Sequence, residues 1–185
     1  MFVPIVPYHA GGDAAAFAGH PKEYEFALAT YLGAGTAACY RGATLYGEGA
    51  AGAEMRAALI RWVTFYKAHR LTLIEPVVHL RRPDMQSWDG FVHVRPSGAT
   101  EVAVAMLFNP TDRPLSPTVV LPLYYAGVGD AATVLLSVDE GAPRAFAVGR
   151  AYDVHVPLTI EAKGVSTVVV TRVVNAYQWK NWANW

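Results

Sequence analysis

A single cysteine, Cys39, rules out an internal disulfide in this chain. Its setting in GTAACYRG, flanked by small residues, predicts a thiol packed on a strand rather than a metal ligand. Charge of one sign is missing too. Fifteen basic and fifteen acidic side chains cancel, so no global field draws in a phosphate backbone or an anionic lipid surface, and nucleic acid is excluded as a partner class. The apolar start, MFVPIVPYHAGG, has two prolines and no basic leader and is far shorter than the ~20 residues of a membrane span, so no membrane partner is expected. His69, His79, His93 and His155 fall on different predicted elements without ligand-type spacing, which argues against a metal. GAGTAA lacks the GxGxxG spacing, and no phosphate loop or Ser-His-Asp arrangement is present, so no cofactor is expected. Internal repeats and low-complexity linkers are absent as well.

What is present is enough apolar material to build a core. Hydrophobic residues make up 53% of the 185 positions and charged residues only 16%, a composition that suits one ordinary domain or two small ones. The most informative stretch is 61–114, where an amphipathic helix ending in WVTFYKAHR gives way to strand-and-turn sequence. Before it, apolar strand-like runs alternate with helical runs. Residues 2–9 form a short, proline-containing apolar run that ends in Ala10, Gly11, Gly12 and Asp13, a strand followed by a loop. From Pro21, KEYEFALATYL places Tyr24, Ala27, Leu28 and Tyr31 at helical spacing, with Gly33 and Gly35 as a stop. Residues 34–40 are a second apolar run, again followed by a loop, RGATLYGEGAAG. From Ala53 a second helix carries Met55, Ala58, Leu59, Trp62, Val63 and Tyr66 on one face.

After this seam, helical periodicity disappears. Eight strands are expected at 77–80, 90–95, 101–108, 118–123, 132–138, 144–148, 152–160 and 165–173, which suggests a β-sandwich. The turns between them have chemical logic: Pro96-Ser97-Gly98, Asn109-Pro110-Thr111-Asp112, Asp139-Glu140-Gly141 and Lys163-Gly164 supply fixed φ, side-chain caps or access to positive φ. In 152–156, Val154 and Val156 are expected to face one way and Asp153 and His155 the other. The final NAYQWKNWANW fits neither a strand nor a helix. Two strand–helix units cannot close a parallel sheet, so neighbours for those strands are expected from elsewhere in a parent chain or from another chain; the competing reading, a small α+β layer of the first seventy residues packed on the sandwich, leaves two apolar strands with exposed edges.

The phrases YHAGGDAAAF, EYEFALATYLGAG, CYRGATLYG, WVTFYKAHR, IEPVVHLRRPDMQSWDGFVHVRP and MLFNPTDRPLSPTVVLPLYYAGV together resemble the C-terminal part of bacterial glycoside hydrolases of the α-galactosidase-like barrel clan. The resemblance runs through about Thr171 and is carried by the order of HLRRPD, WDG and NPTDRP rather than by a mechanistic signature. It implies an α+β multidomain fold: the terminal βαβα portion of a (β/α)8 barrel in 1–74, an antiparallel β-sandwich of about eight strands in 75–174, and an aromatic tail in 175–185. It also implies a carbohydrate substrate, and the remainder of the catalytic barrel as a partner. Such enzymes use two carboxylates on earlier barrel strands, upstream of anything present here. No catalytic residue is therefore expected in this chain, which by the resemblance is inactive alone.

The chain is expected instead to contribute to a pocket rim, because barrel sites are built from the loops after the strands. His9, Asp13, Tyr40 and Arg41 follow the two expected barrel strands and are the candidate substrate-binding residues. His9 and Asp13 suit sugar hydroxyls and Arg41 suits a carboxylate. The competing reading has Tyr40 and Arg41 tying the rim to the sandwich. Arg81, Arg82, Asp84, Trp88 and Asp89 have the residue types of a sugar site, but their place at the seam favours a loop lock. A second function class is a non-catalytic carbohydrate-binding or interaction module in which Tyr177, Trp179, Trp182 and Trp185 of the tail stack on a polysaccharide. A scaffold role has no positive support in the residues.

Overall fold

A computed structural model describes residues 2–4, 21–39, 49–96 and 99–173. The elements are β1 (Phe2–Pro4), α1 (Pro21–Gly33), β2 (Ala37–Cys39), α2 (Gly49–Leu73), β3 (Val77–Arg81), β4 (Asp89–Val94), β5 (Glu101–Phe108), β6 (Thr118–Pro122), β7 (Thr133–Val138), β8 (Arg144–Ala147), β9 (Asp153–Pro157) and β10 (Val165–Arg172). All eight strands expected after the seam are present, and β5 has the expected bounds. They form a six-stranded antiparallel sheet in the order β3-β4-β5-β10-β7-β8, faced by the antiparallel pair β6-β9. β1 and β2 pair in parallel. Among the described residues the result is an α+β fold with two α-helices and an antiparallel arrangement compatible with a sandwich.

β5 explains how the layers join. Every residue from Val102 to Asn109 is buried, so the strand is covered on both faces. Ala103, Ala105 and Leu107 point into the sandwich core with Val119, Leu121, Val154 and Val156 of the small sheet. Val104, Met106 and Phe108 point the other way, into a second core with Leu28, Leu32, Leu59 and Trp62 of the helices. Strand alternation thus gives one sheet two hydrophobic faces, and its sequence reads as a continuous apolar run for that reason. The expected alternation in β9 is also present: Val154 and Val156 are buried while His155 is exposed.

The helices differ from expectation in two details. On α1 the buried face is Tyr24, Leu28, Ala29, Leu32 and Gly33, whereas Tyr31 is 37% exposed. A Cβ at Gly33 would lie 2.5 Å from Met106 Cε, so the small residues mark the line of closest approach and Tyr31 falls off it. α2 begins at Gly49 rather than Ala53, and Phe65, not Val63 or Tyr66, completes the fully buried stripe of Met55, Leu59 and Trp62.

α1 ends in a Schellman motif: Gly35 N–H donates to Leu32 O at 3.0 Å and Thr36 N–H to Tyr31 O at 3.1 Å. Gly35 has φ +74°, and a Cβ there would sit 2.0 Å from Leu73 O, so glycine lets the ends of α1 and α2 touch. His93 of β4, 1% exposed, joins the same ends to the sheet. Its Nδ1 lies 3.0 Å from Glu75 O and its Nε2 2.8 Å from Gly33 O. Both partners are carbonyl acceptors, so the ring engages both only when both nitrogens carry hydrogen.

A second polar tie joins α2 to the start of β5. Glu101 receives a hydrogen bond from Thr72 Oγ1 at 2.5 Å, and its other oxygen lies 2.6 Å from His69 Nδ1. Burial raises the Glu101 pKa, but the hydrogen bonds from His69 and Thr72, with the charges of His69 and Arg95, outweigh it and hold the carboxyl below its ordinary value. A depressed carboxylate stabilises the fold above its unfolded pKa and loses that contribution as pH falls through the folded value. Urea midpoints are therefore expected to fall on acidification below about pH 4.5, the ordinary glutamate value. Glu101→Gln is expected to cost about 1 kcal/mol at neutral pH and to flatten that acid limb. An unchanged acid limb in the variant would contradict the assignment.

Candidate functional site

The four candidate rim residues, His9, Asp13, Tyr40 and Arg41, lie outside the described residues, as does the aromatic tail with Tyr177, Trp179, Trp182 and Trp185. The strands that precede the rim residues are described. β1 and β2 run parallel with Phe2, Val3 and Pro4 opposite Ala37, Ala38 and Cys39. Their C-terminal ends therefore sit side by side. Among the described residues, β1 and β2 pair only with each other.

A polar recess lies where the helices meet the sandwich. It is a cleft of about 560 Å³ lined in part by Lys22, Glu25, Arg61, Asp139, Glu161 and Ser166. Glu25 of α1 accepts hydrogen bonds from Arg61 Nη1 at 2.8 Å and Trp62 Nε1 at 3.1 Å, both on α2. The Arg61 guanidinium also stands over the Trp62 ring, 5.1 Å from its centroid, and reaches Glu140 at 4.0 Å. Asp139 and Glu140 both have positive φ, +48° and +59°, in the turn closed by Gly141 N–H to Val138 O at 2.8 Å. Two non-glycine residues in the left-handed region are sterically costly, and the Asp139 carboxylate offsets this through local bonds. Its Oδ1 accepts from Thr167 N–H at 2.7 Å and its Oδ2 from Ser166 Oγ at 3.1 Å. Burial pushes the Asp139 carboxyl up, against the pull of those hydrogen bonds and of the Arg61 charge.

Three of the cleft's charged groups are engaged with the protein itself. Both oxygens of Asp139 have partners, Glu25 is engaged by two donors, and Arg61 spans α1, α2 and the turn after β7. This is the chemistry of a fastening between layers. Sequence reading places Arg61 off the apolar stripe and Asp139 in a turn; only the fold brings them to one seam.

Two other phrases resolve as structural. Arg81 Nη2 meets Asp84 Oδ2 at 2.6 Å and Arg81 Nη1 donates to Trp88 O, while Asp84 Oδ1 accepts the N–H groups of Gln86 and Ser87 at 2.9 and 3.0 Å. The Gln86 N–H above all, with Ser87 and Arg81, holds the Asp84 carboxyl below its ordinary value. Trp88 packs on the sandwich core. This is the loop lock expected from the place of these residues at the seam. In NPTDRP, Asn109 is fully buried. Its Nδ2 faces the carbonyls of Arg113, Ile160 and Glu161 at 2.8, 3.0 and 2.9 Å, and its Oδ1 accepts from Thr111 N–H and Oγ1. Among the described residues, no group of three or more His, Cys, Asp or Glu is placed to hold a metal, and no helix is long and apolar enough to cross a membrane.

No family model matches the chain, and no curated protein matches it. Solved structures do. Alpha-galactosidase I from Mortierella vinacea is similar over 91% of this chain and 39% of its own, at 12% identity and a TM-score of 0.54. AmyP, solved in complex with maltose, is similar over 80% of this chain and 34% of its own, at 8% identity and a TM-score of 0.52. Abp, a β-L-arabinopyranosidase from Geobacillus stearothermophilus, is similar over 83% and 31%, at 10% identity and a TM-score of 0.52. These neighbours are glycoside hydrolases, and at such identities the likeness is one of fold. The chain spans between 31% and 39% of their lengths.

Proposed function

We propose that this chain is the C-terminal part of a glycoside hydrolase acting on glycosidic bonds of carbohydrates. Residues 1–74 supply the closing strand–helix units of its catalytic barrel and residues 75–174 its β-sandwich. The observation that carries the reading is the parallel pair β1-β2, with helices α1 and α2 laid on the back of an antiparallel sandwich. A parallel pair of three-residue strands is not a stable sheet by itself, so each outer edge calls for further strands. The fold likeness to glycoside hydrolases more than twice as long supports the same completion.

In this reading the sandwich and helices form a rigid backing, and the paired ends of β1 and β2 present His9, Asp13, Tyr40 and Arg41 to the substrate pocket. The acid and the nucleophile or base come from barrel strands outside this chain. The chain alone is therefore inactive, and its partners are the rest of the barrel and a carbohydrate. The test begins with the DNA upstream of the Met1 codon: the reading frame is expected to continue through strand–helix units with two carboxylates at strand ends. A stop codon directly upstream would overturn the reading, and so would cleavage of any aryl glycoside by the isolated chain. In the complete enzyme, Asp13→Ala is expected to raise KM at least several-fold with the fold intact, consistent with loss of a hydroxyl contact.

A further inference from the structure

We propose that the outer end of the sandwich carries a carbohydrate-binding site of its own, in which Tyr124, Tyr125 and Tyr152 take the apolar face of a sugar ring while Asp153 and His155 engage its hydroxyls. Tyr124 and Tyr125 are 61% and 62% exposed, side by side on a single turn of 3-10 helix, Tyr124–Ala126. Adjacent exposed aromatic rings forgo burial that the core would reward, and such clusters on a soluble surface mark binding sites. The rings are also placed. Tyr124 lies 5.3 Å from Tyr125 at 84° and 5.3 Å from Tyr152 at 77°, so two rings stand as walls against a third.

The backbone beneath is held from several sides. Leu123 N–H donates to Tyr152 O at 2.7 Å, and Gly127, at φ +66°, closes the helical turn with its N–H to Tyr124 O at 3.0 Å. The Arg172 guanidinium, reaching across from β10, donates to Ala126 O and Gly127 O at 3.3 and 3.0 Å. Tyr152 itself sits at φ +59°, a strained position for a bulky side chain. A loop anchored in this way presents its rings without first having to order them, which lowers the cost of binding. None of the three hydroxyls makes a hydrogen bond to another described residue, so all three remain for a ligand.

The polar half of the site lies along the outer face of the β6-β9 pair. Register sets Pro122 opposite Asp153 and Val120 opposite His155, while Val119, Leu121, Val154 and Val156 point inward. Asp153 Oδ2 and His155 Nε2 are 3.6 Å apart, directly after Tyr152 in the chain. A pyranose matches this arrangement: its C–H face is apolar and its rim carries hydroxyls that a carboxylate and an imidazole can bind. The inference stands on these rings and not on the glycosidase reading, so it can fail or succeed separately.

Affinity electrophoresis of the full 185-residue chain through gels containing galactomannan, soluble starch or xylan tests it. At least one glycan is expected to retard the chain. Tyr124→Ala with Tyr125→Ala should weaken that retardation about tenfold, whereas Tyr124→Phe with Tyr125→Phe should keep most of it, because the rings provide the contact. A glycan that retards is also expected to perturb the near-UV tyrosine absorbance of the unsubstituted chain, a readout that needs no variant to fold. Free migration of the unsubstituted chain in all three gels would overturn the proposal. So would equal retardation of the alanine variant, or retardation without a tyrosine perturbation.

Discussion

Asn109→Ala is expected to lower the stability of the chain by about 4 kcal/mol, one of the two largest single-residue effects anticipated. The residue is fully buried between β5 and the loop before β10. Its amide nitrogen answers three carbonyl oxygens, those of Arg113, Ile160 and Glu161, and its oxygen answers both the N–H and the hydroxyl of Thr111. Each buried group stripped of its partner costs about 1–3 kcal/mol, reduced where water reaches the loop. Alanine removes all of these contacts at once, whereas Asn109→Asp keeps the Thr111 contacts but sets a second oxygen against three carbonyls. The aspartate variant is expected to be at least as unstable, since its charge faces only acceptors. Urea unfolding followed by circular dichroism reads both. A loss under 1 kcal/mol in the alanine variant would show that the loop is held by something else.

Asn109 also shows how far the sequence carries. Strand existence in the sandwich is legible because alternation and β-branched runs are bounded by Gly, Pro, Asn and Asp; the 101–108 strand matches residue for residue. The turn chemistry of NPTDRP is legible too, but which carbonyls Asn109 ties is not, because Ile160 and Glu161 are 51 and 52 positions away. The double burial of β5 is hidden for a related reason. A run such as EVAVAMLF states that both faces are covered but not by what, and here one cover is a sheet and the other a pair of helices. The stripe on α1 misleads at Tyr31 because close approach through Gly33 outweighs aromatic size, and nothing local reports Met106 across the interface. The cleft of Glu25, Arg61 and Asp139 is assembled from three separated elements, so residue types alone give no hint that they meet. The expected rim residues His9, Asp13, Tyr40 and Arg41 rest on the order of strand and loop, and of that order the described residues show the parallel pair of strands alone.

Trp62→Ala carries the other large expected effect, about 4 kcal/mol, and its form is more telling than its size. Trp62 is 1% exposed, packs edge-on to Phe65 at 5.6 Å, lies under the Arg61 guanidinium and donates to Glu25. Its removal leaves a large void in a core made by the helices and one face of the sheet. Among the described residues, the opposite core, around Val92, Leu121, Val154 and Val168, contains no residue of α1 or α2. The two cores share the sheet but few side chains, so the loss should fall unequally on them. Helical circular dichroism in Trp62→Ala is expected to disappear at lower urea than the strand signal, where the unsubstituted chain shows the two together. Trp62→Phe, which keeps most of the ring but drops the N–H to Glu25, should cost about 1.5 kcal/mol and keep the transitions coincident. Coincident loss of helix and strand in the alanine variant would mean that the sheet cannot persist with its helical face open. In that case the helices are part of the sandwich's own folding unit rather than the part of a barrel leaning on it.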